Sequence, residues 1–346
     1  MQQKRKNEHL FLAEKLYSNN HYFNDLRFIH HSLPETNIAT DMLADSMFHK
    51  KITAPIYINA MTGGSEYAKK INQQLAMMAR ELKIPIATGS MSAAIKDHTL
   101  ADTFTIMRQE NNTGIILANI GAEYGLDDAK FVTDLIHADA LQIHINTVQE
   151  AIMPEGRREF DFLNYIDQIH HHLNLPIIVK EVGFGMSRET IQKLQHLGIQ
   201  YIDISGRGGT NFAAIESQRA KQRFDYMHDW GQTTIESLLE AYDSPLITFA
   251  SGGVQTPLDV VKCLALKADY VGIAGMILHY LMNHSLEKTI EMMHLFIEEL
   301  AHLYAILGAH NKYELQKTDL LLSDSLVNYC NQRQLISDSL ATRSRL

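Results

Sequence analysis

The sequence LQIHINTVQE, from Leu141 to Glu150, is the central segment of the chain's pattern. Apolar and polar residues alternate in its first half, which is typical of a β-strand, because successive side chains of a strand point to opposite faces. The neighbouring segments are apolar runs, so we expect this strand to be buried on both faces. Buried polar groups need partners. The polar row Gln142, His144 and Asn146 therefore predicts a functional site at the carboxyl end of the strand. The alternative is a hydrogen-bonded core histidine followed by a solvated carboxylate.

Apolar runs of similar length recur on both sides of this stretch and alternate with helix-like segments. Predicted strands cover residues 55–60, 84–88, 114–119, 140–146, 176–182, 201–205, 246–251 and 270–274. Helical periodicity covers residues 66–82, 97–109, 127–137, 160–173, 187–197, 233–242, 257–266 and 286–307. Eight alternating units predict an α/β fold, a (β/α)8 or TIM barrel. An open, doubly wound sheet is the alternative.

The segments outside the repeating units predict a single domain with two extensions. Residues 1–54 form an N-terminal extension, either a frayed basic arm or an arm that covers a phosphate-bearing ligand. Residues 55–310 form the barrel, and residues 311–346 form a C-terminal tail packed on it. The connection over residues 206–231 is far longer than usual, which predicts a lid or binding loop.

The overall composition argues against several classes of protein. The chain has 346 residues and a formal net charge of −9, which gives no electrostatic support for nucleic-acid binding. Cys263 and Cys330 lie far apart without metal-type spacing, as expected in a reduced compartment. Signal-peptide, membrane-span, P-loop and Rossmann patterns are not evident. We therefore expect a cytoplasmic protein that binds neither membranes nor nucleic acid.

The ends of the predicted strands carry most of the functional signal. In a TIM barrel the active site lies at the carboxyl ends of the strands, and seven of the eight predicted ends carry glycine, which permits close backbone approach to a ligand. Ser251-Gly252-Gly253 and Ala274-Gly275 follow the last two strands, where such barrels commonly bind phosphate. Lys180 ends an apolar run and needs an anion. The two candidates are the N1/O2 edge of a flavin and the carboxylate of Asp203.

The motifs at these strand ends, with one at the N-terminus, follow the order found in a known enzyme family. They are Arg5-Lys6-Asn7-Glu8-His9, Ala60-Met61-Thr62-Gly63-Gly64, Thr88-Gly89-Ser90-Met91, Ala118-Asn119-Ile120-Gly121, His144-Ile145-Asn146 with Gln149-Glu150, Lys180-Glu181-Val182-Gly183-Phe184-Gly185, Asp203-Ile204-Ser205-Gly206-Arg207-Gly208-Gly209-Thr210-Asn211, Ser251-Gly252-Gly253 and Ala274-Gly275. Over nearly the whole chain they resemble the flavin-dependent type 2 isopentenyl-diphosphate delta-isomerases. Ser92 and the segment 160–162 depart from the arginine-containing versions common in that family.

This resemblance implies an activity and a set of cofactors. The family interconverts isopentenyl diphosphate and dimethylallyl diphosphate in isoprenoid biosynthesis, with no net redox change. It uses reduced FMN, NADPH or NADH to keep the flavin reduced, and Mg²⁺. The resemblance also implies a homo-oligomer, a tetramer or an octamer. Whether the N-terminal arm would cover its own barrel or a neighbour's stays open at this point.

The resemblance further implies roles for individual residues. Gln149 and His144 are expected to be catalytic, and Glu150 is expected to hold Mg²⁺ through oxygen. Substrate contacts are expected from Arg5, Lys6, His9, Asn146 and Gln149. FMN contacts are expected from Ala60, Met61, Thr62, Gly63, Ser90, Asn119, Lys180, Ser205, Thr210, Gly252, Gly253, Ala274 and Gly275.

Two residues of the long connection are further candidates for closing the site. They are Glu216 and Trp230, for which the alternatives are a solvated glutamate and a core tryptophan.

Two other functions remain open from the sequence. A flavin-dependent 2-hydroxy-acid oxidase would share the Ser-Gly-Gly loop and the basic residue of the fifth strand. Such oxidases resemble one another through a histidine followed shortly by a substrate-binding arginine, and this chain has Arg207-Gly208-Gly209 in that region. A non-enzymatic flavin or phosphate-binding protein would not require the basic arm, His144, Gln149 and Glu150 together.

Overall fold

The structure is a computed structural model that describes residues 2–18, 22–219, 224–335 and 339–345. The side chains of residues 2–6 lie outside this description, although their backbone belongs to a helix.

Eight parallel strands close into one barrel. In chain order they are Ile56–Ile58, Ile86–Ala87, Ile116–Gly121, Ala140–His144, Ile177–Lys180, Tyr201–Asp203, Ile247–Ser251 and Tyr270–Ile273. The eighth strand pairs with the first, with Val271 opposite Ile56 and Ile273 opposite Ile58. This closure confirms the predicted (β/α)8 barrel and excludes the open sheet.

Helices follow each of the barrel strands. Among the described residues they are Glu66–Leu82, Ser92–Lys96, Asp102–Glu110, Leu126–Leu135, Thr147–Ile152, Phe162–His172, Arg188–His196, Phe212–Arg219, Thr234–Ala241, Pro257–Ala265, Gly275–Asn283 and Leu286–Ile306. Hydroxyl side chains begin several of them, because such a side chain accepts a hydrogen bond from an otherwise unpaired helical N–H. Thr233 and Thr256 each start a capping box, and Pro257 occupies the first turn of its helix.

Two predicted segments differ from the structure. The predicted helix 97–109 begins later, at Asp102, because Asp97 has an extended backbone and its side chain caps a separate 3-10 turn, His98–Leu100, by accepting from Thr99 N–H. The long connection 206–231 is not an irregular loop throughout. It contains the helix Phe212–Arg219 and the 3-10 turn Asp225–Met227.

The two ends of the chain pack on the barrel. A helix, Gln2–Lys15, opens the chain, and strand Leu26–Phe28 pairs with Leu320–Leu322 near the other end. The hairpin Asp45–Met47 and Lys50–Ile52 contributes Met47 and Ile52 to the cluster that fills the barrel interior with Tyr57, Phe249 and Tyr270. The helix Asp324–Arg333 is held against the barrel by Arg333, whose guanidinium binds Glu240.

Candidate active site

A ladder of buried amides and one imidazole leads to the carboxyl end of the fourth barrel strand, Ala140–His144. The Nδ2 of Asn119 donates to Oε1 of Gln142 at 3.1 Å, and Oδ1 of Asn119 lies 2.9 Å from Nδ1 of His144. Parallel register places Asn119 opposite Gln142 on the adjacent strand. Gln142 is fully buried, so the strand is buried on both faces, as predicted. Its polar row forms hydrogen bonds that direct His144 towards the barrel mouth.

The carboxylate of Glu150 sits on the short helix that follows this strand, Thr147–Ile152. It is buried and accepts hydrogen bonds from Nδ2 of Asn146 at 3.0 Å and from the backbone N–H of Arg157 at 2.7 Å. Glu123 lies nearby. Burial, and to a smaller extent the charge of Glu150, raises the pKa of Glu123. Because Glu150 is buried, the alternative of a solvated carboxylate at this residue is wrong.

These residues are compatible with Mg²⁺. The described residues contain no group of three or more His, Cys, Asp and Glu side chains that could hold a metal by themselves. Mg²⁺ is commonly held by one or two carboxylates together with substrate phosphates, so this finding is consistent with a site centred on Glu150. Asn146 adds a buried side-chain oxygen, Oδ1, that has no hydrogen-bond partner among the described residues.

The amide of Gln149 meets a buried carboxylate from the sixth-strand connection. Its Nε2 donates to Oε1 of Glu216 at 3.3 Å, and Nε2 of His9 lies 3.0 Å from the same oxygen. The Glu216 side chain is completely buried, and Oε2 pairs with the guanidinium of Arg219. Burial opposes ionisation, but the contacts with His9, Arg219 and Gln149 outweigh it and lower the pKa of Glu216. An ionised acceptor thus stands beside Gln149.

Glu216 is a candidate site residue whose burial sequence reasoning underestimated. The solvated glutamate considered for this position is wrong, since the side chain is buried. Trp230 is not a core residue either, because 57% of it is exposed. A signal was present in the spacing of Glu216 and Arg219. Carboxylate and guanidinium three residues apart lie on one face of a helix. The helix itself was not predicted.

Lys180 is enclosed by acceptors at the end of the fifth barrel strand. Its ammonium lies 3.1 Å from Oδ2 of Asp203 and donates to the backbone carbonyl of Glu181 at 2.9 Å. Ser251 donates to Oδ1 of Asp203 at 2.7 Å, and Tyr57 donates to Oδ2 at 2.5 Å. Of the two anions considered for Lys180, the Asp203 carboxylate therefore forms an ion pair with it. The ion pair also holds Lys180 among the strand ends expected to contact FMN.

Glycines from the sixth and seventh strand ends bring two backbone segments into contact. At Gly252, φ is +102°, and an added Cβ would lie 2.0 Å from the carbonyl oxygen of Gly206. At Gly209 an added Cβ would lie 2.8 Å from the amide nitrogen of Gly253. Such close approach is possible only without side chains. Gly275, after the eighth strand, begins the helix Gly275–Asn283, whose first amides are unpaired within the helix.

The residues expected around FMN fit that cofactor. Ser205, Thr210 and Ala274 adjoin the glycine contacts, which form a backbone cradle suited to a phosphate. At the first and second strand ends, Oγ1 of Thr62 and Oγ1 of Thr88 are buried without a hydrogen-bond partner among the described residues. Orphaned buried hydroxyls of this kind are expected where a polar ligand completes the site. Ala60, Met61, Gly63, Ser90 and Asn119 belong to the same or neighbouring strand ends.

The N-terminal helix lies over the strand ends of its own chain. Ser65 donates to Oδ1 of Asn7 at 2.7 Å, and the rings of Tyr17 and His279 stack with centroids 4.5 Å apart. His9 reaches Glu216, as described above. The side chains of Arg5 and Lys6, which were expected to contact substrate, lie outside the described residues. The helix that carries them nevertheless runs beside the site.

Comparison with known proteins now places the chain in a family. Residues 107–322 match the family described as FMN-dependent dehydrogenase. An isopentenyl-diphosphate delta-isomerase of Latilactobacillus sakei is 48% identical over 97% of both chains. The enzyme of that name from Lacticaseibacillus paracasei is 46% identical over 96% of this chain and 98% of its own. The one from Staphylococcus epidermidis is 42% identical over 96% of this chain and 97% of its own. The chain belongs to the isopentenyl-diphosphate delta-isomerase family. The family predicted from the strand-end motifs is thereby confirmed.

Solved structures of mandelate oxidase share the fold of this chain. Mandelate oxidase with benzoyl-formic acid has a TM-score of 0.60 and 14% identity over 91% of this chain and 90% of that one. Mandelate oxidase with 3,3-difluoro-2-hydroxy-3-phenylpropionic acid has a TM-score of 0.59 and 14% identity over 91% of each chain. At this identity the likeness concerns the barrel alone. No helix among the described residues is long and apolar enough to cross a membrane.

Proposed function

We propose that this chain interconverts isopentenyl diphosphate and dimethylallyl diphosphate, using reduced FMN, NADPH to keep it reduced, and Mg²⁺. The observation that carries the proposal is the contact of Gln149 with the buried, ionised Glu216 beneath the N-terminal helix. The names of relatives at 42–48% identity support the substrate pair, and the FMN-dependent dehydrogenase match supports the flavin.

The reaction shifts a carbon–carbon double bond within the substrate. One proton adds to the terminal methylene carbon, another leaves C2, and the double bond shifts between them without net loss of electrons. A buried carboxylate of lowered pKa is ionised at neutral pH, so Glu216 is suited to accept a proton, not to supply one. We assign it to the C2 side. Gln149, held by that carboxylate, positions the substrate there.

The diphosphate needs cations and donors. Arg5, Lys6 and His9 belong to the helix that covers the site, and His144 and Asn146 extend from the fourth barrel strand. Glu150, with the amide oxygen of Asn146, would hold Mg²⁺ against the diphosphate oxygens.

FMN would extend across the barrel mouth from the seventh and eighth strand ends. The glycine cradle at Gly252, Gly253 and Gly275 would take its phosphate, and Lys180 would face the N1/O2 edge of the ring. When bound, reduced FMN supplies an acid/base or electrostatic group and an electron-rich face beside the developing carbocation.

The N-terminal helix lies over this site and would limit the access of water, which would protect a carbocation from capture. We also propose a homo-oligomer of tetrameric or octameric size, on the strength of the family resemblance, and a cytoplasmic location, which the two widely spaced cysteines support.

Anaerobic incubation with FMN, NADPH, Mg²⁺ and isopentenyl diphosphate tests the proposal, with dimethylallyl diphosphate followed by NMR. Product is expected only with reduced flavin and metal. Bound, reduced flavin without product would refute the isomerase function. The oxidase alternative is favoured by the mandelate oxidase fold, and it predicts that 2-hydroxy acids reduce the bound flavin under the same anaerobic conditions.

A further inference from the structure

One arginine joins three segments that meet over the proposed site. The Arg219 guanidinium pairs with Oε2 of Glu216 on its own helix and lies 2.9 Å from Oε1 of Glu155, beyond the helix Thr147–Ile152. Its Nε lies 3.6 Å from Oε2 of Glu8, on the N-terminal helix. The arginine side chain is only 15% exposed. These contacts link the N-terminal helix and the connections after the fourth and sixth barrel strands.

The three carboxylates differ greatly in exposure. Glu8 and Glu155 are each 42% exposed, so either pair by itself would contribute little to stability. Glu216 is completely buried, and a buried carboxylate requires a close positive charge and donors. A planar guanidinium suits this arrangement, because its five N–H groups can serve several carboxylates in fixed directions.

We propose that Arg219 is a positioning residue for catalysis. It holds the Glu216 carboxylate against Gln149 and His9, and through Glu8 and Glu155 it couples that placement to closure of the N-terminal helix over the site. The inference deepens the proposed function and rests on it where turnover is concerned. The closure itself can be measured without any activity.

A second arginine of similar surroundings provides a matched control. Arg333 binds the buried Glu240 and the exposed Glu189, so it too is a guanidinium shared between an inner and an outer carboxylate. Its contacts hold the helix Asp324–Arg333 against Arg188–His196 and Thr234–Ala241 and involve no residue of the proposed site. Arg333→Gln therefore reports what loss of such a cluster does to folding alone.

The first experiment compares Arg219→Gln, Arg219→Lys and Arg333→Gln in the full chain by amide hydrogen exchange. Arg219→Gln should accelerate exchange across residues 2–15 and 212–219, whereas Arg333→Gln should leave both segments unchanged. Arg219→Lys, which keeps the charge, should show intermediate exchange. Equal exchange of residues 2–15 in wild type and Arg219→Gln would overturn the closure role, whether or not the chain is an isomerase.

The second experiment measures isomerase kinetics and their pH dependence. Arg219→Gln should lower kcat by about 100-fold, as expected when a catalytic group loses its placement. Arg219→Lys should recover part of that loss. Glu8→Gln leaves Glu216 paired and should mainly raise KM.

The same variants separate positioning from a purely structural role. Besides Arg219, the groups facing Glu216 are His9, Gln149 and the more distant Glu8 and Glu155. Loss of Arg219 should therefore move the acidic limb of the kcat profile to higher pH. An unchanged kcat and acidic limb in folded Arg219→Gln would refute the catalytic role. If Arg219→Gln does not fold, Arg219→Lys and Glu8→Gln decide the question, and wild-type values in both would refute it. Failure of the wild type to turn over would instead count against the proposed function.

Discussion

The imidazole of His9 lies 3.0 Å from the carboxylate of Glu216, so the N-terminal helix and the sixth-strand connection meet above the barrel mouth of one chain. The same carboxylate oxygen accepts a hydrogen bond from the side-chain amide of Gln149. A single buried atom thus connects the element that covers the site to the residue expected to touch substrate. It also shows that the N-terminal helix can complete the site in cis, a point on which the sequence was silent.

Replacement of Gln149 by alanine tests the centre of this arrangement. We expect Gln149→Ala to lower turnover by about 100-fold or more, because a positioned group beside the reacting carbon is lost. Bound flavin should be unchanged, since Gln149 contacts Glu216 and lies apart from the glycine cradle. Gln192→Ala, on the exposed face of the helix Arg188–His196, is the control and should match wild type. Loss of flavin together with turnover would contradict the assignment.

Glycine 252 provides a steric test of the phosphate cradle. Gly252→Ala places a Cβ 2.0 Å from the Gly206 carbonyl oxygen at a φ of +102°, so the two segments must separate. We expect FMN affinity to fall by at least about tenfold, given a strain on the order of 1–3 kcal/mol. Gly125→Ala is the control, because its Cβ would meet nothing within 4 Å. Fluorescence titration with FMN measures both, and equal affinities would argue against the cradle.

The Lys180–Asp203 pair predicts a large loss of stability when one partner is neutralised. Asp203→Asn leaves a buried ammonium without its counter-charge, which typically costs about 3–5 kcal/mol. Glu291→Gln breaks the exposed Lys288–Glu291 pair and should cost less than about 1 kcal/mol. Urea unfolding of the apoprotein measures both. A small effect at Asp203 would mean that water or a shifted side chain compensates Lys180.

Buried Glu181 gives the apoprotein a stability that depends on pH near neutrality. Burial raises the pKa of Glu181 to about 7, against the opposing effect of three backbone N–H donors and Lys180. The folded state therefore holds this proton more tightly than the unfolded chain. The resulting stabilisation is complete below pH about 4.5 and is lost as the pH rises through about 7.

Glu181→Gln keeps an oxygen that can accept the backbone N–H groups of Val182, Gly183 and Phe184. We expect this variant to remove on the order of 3 kcal/mol of pH dependence between pH 5 and 8. Denaturant midpoints at several pH values measure the effect. An identical pH dependence in wild type and Glu181→Gln would place the responsible group elsewhere.

The fold was predictable because its signal is local and repeated. Each barrel strand is a short, largely apolar run with a polar residue or glycine at its carboxyl end or within two residues after it. Ala140–His144 shows the alternation of apolar and polar residues in a buried setting. The Lys180–Asp203 pair was also accessible from sequence, because both residues end neighbouring strands. They lie opposite each other in the observed register.

The parts of the site that escaped prediction depend on contacts between distant segments. The burial of Glu216 arises from His9, Gln149 and Arg219, and only Arg219 is close in sequence. The pairing of Leu26–Phe28 with Leu320–Leu322 likewise joins opposite ends of the chain and has no periodic signature. Strand patterns specify where a strand end lies, but not which arm or connection will cover it.

Glu150 provides the test of the proposed Mg²⁺ site. Its carboxylate is fixed by Asn146 and by the Arg157 backbone N–H, so its placement precedes metal binding. Because Mg²⁺ prefers charged oxygen ligands, Glu150→Gln should raise the Mg²⁺ concentration needed for half-maximal turnover by about 10–100-fold. One hydrogen bond to Arg157 or Asn146 is lost as well, at a cost of about 1 kcal/mol in stability.

Glu159→Gln controls for the loss of one negative charge. Glu159 is exposed and lies nine positions after Glu150 on the same connection. It should leave the Mg²⁺ requirement unchanged. EDTA should abolish turnover in wild type without releasing FMN, since the cradle around Gly252 follows the seventh barrel strand, whereas Glu150 follows the fourth. Excess Mg²⁺ should then restore activity in wild type at far lower concentration than in Glu150→Gln. If both proteins recover at the same Mg²⁺ concentration, the metal is held by other groups, and the buried Glu123 carboxylate becomes the next residue to replace.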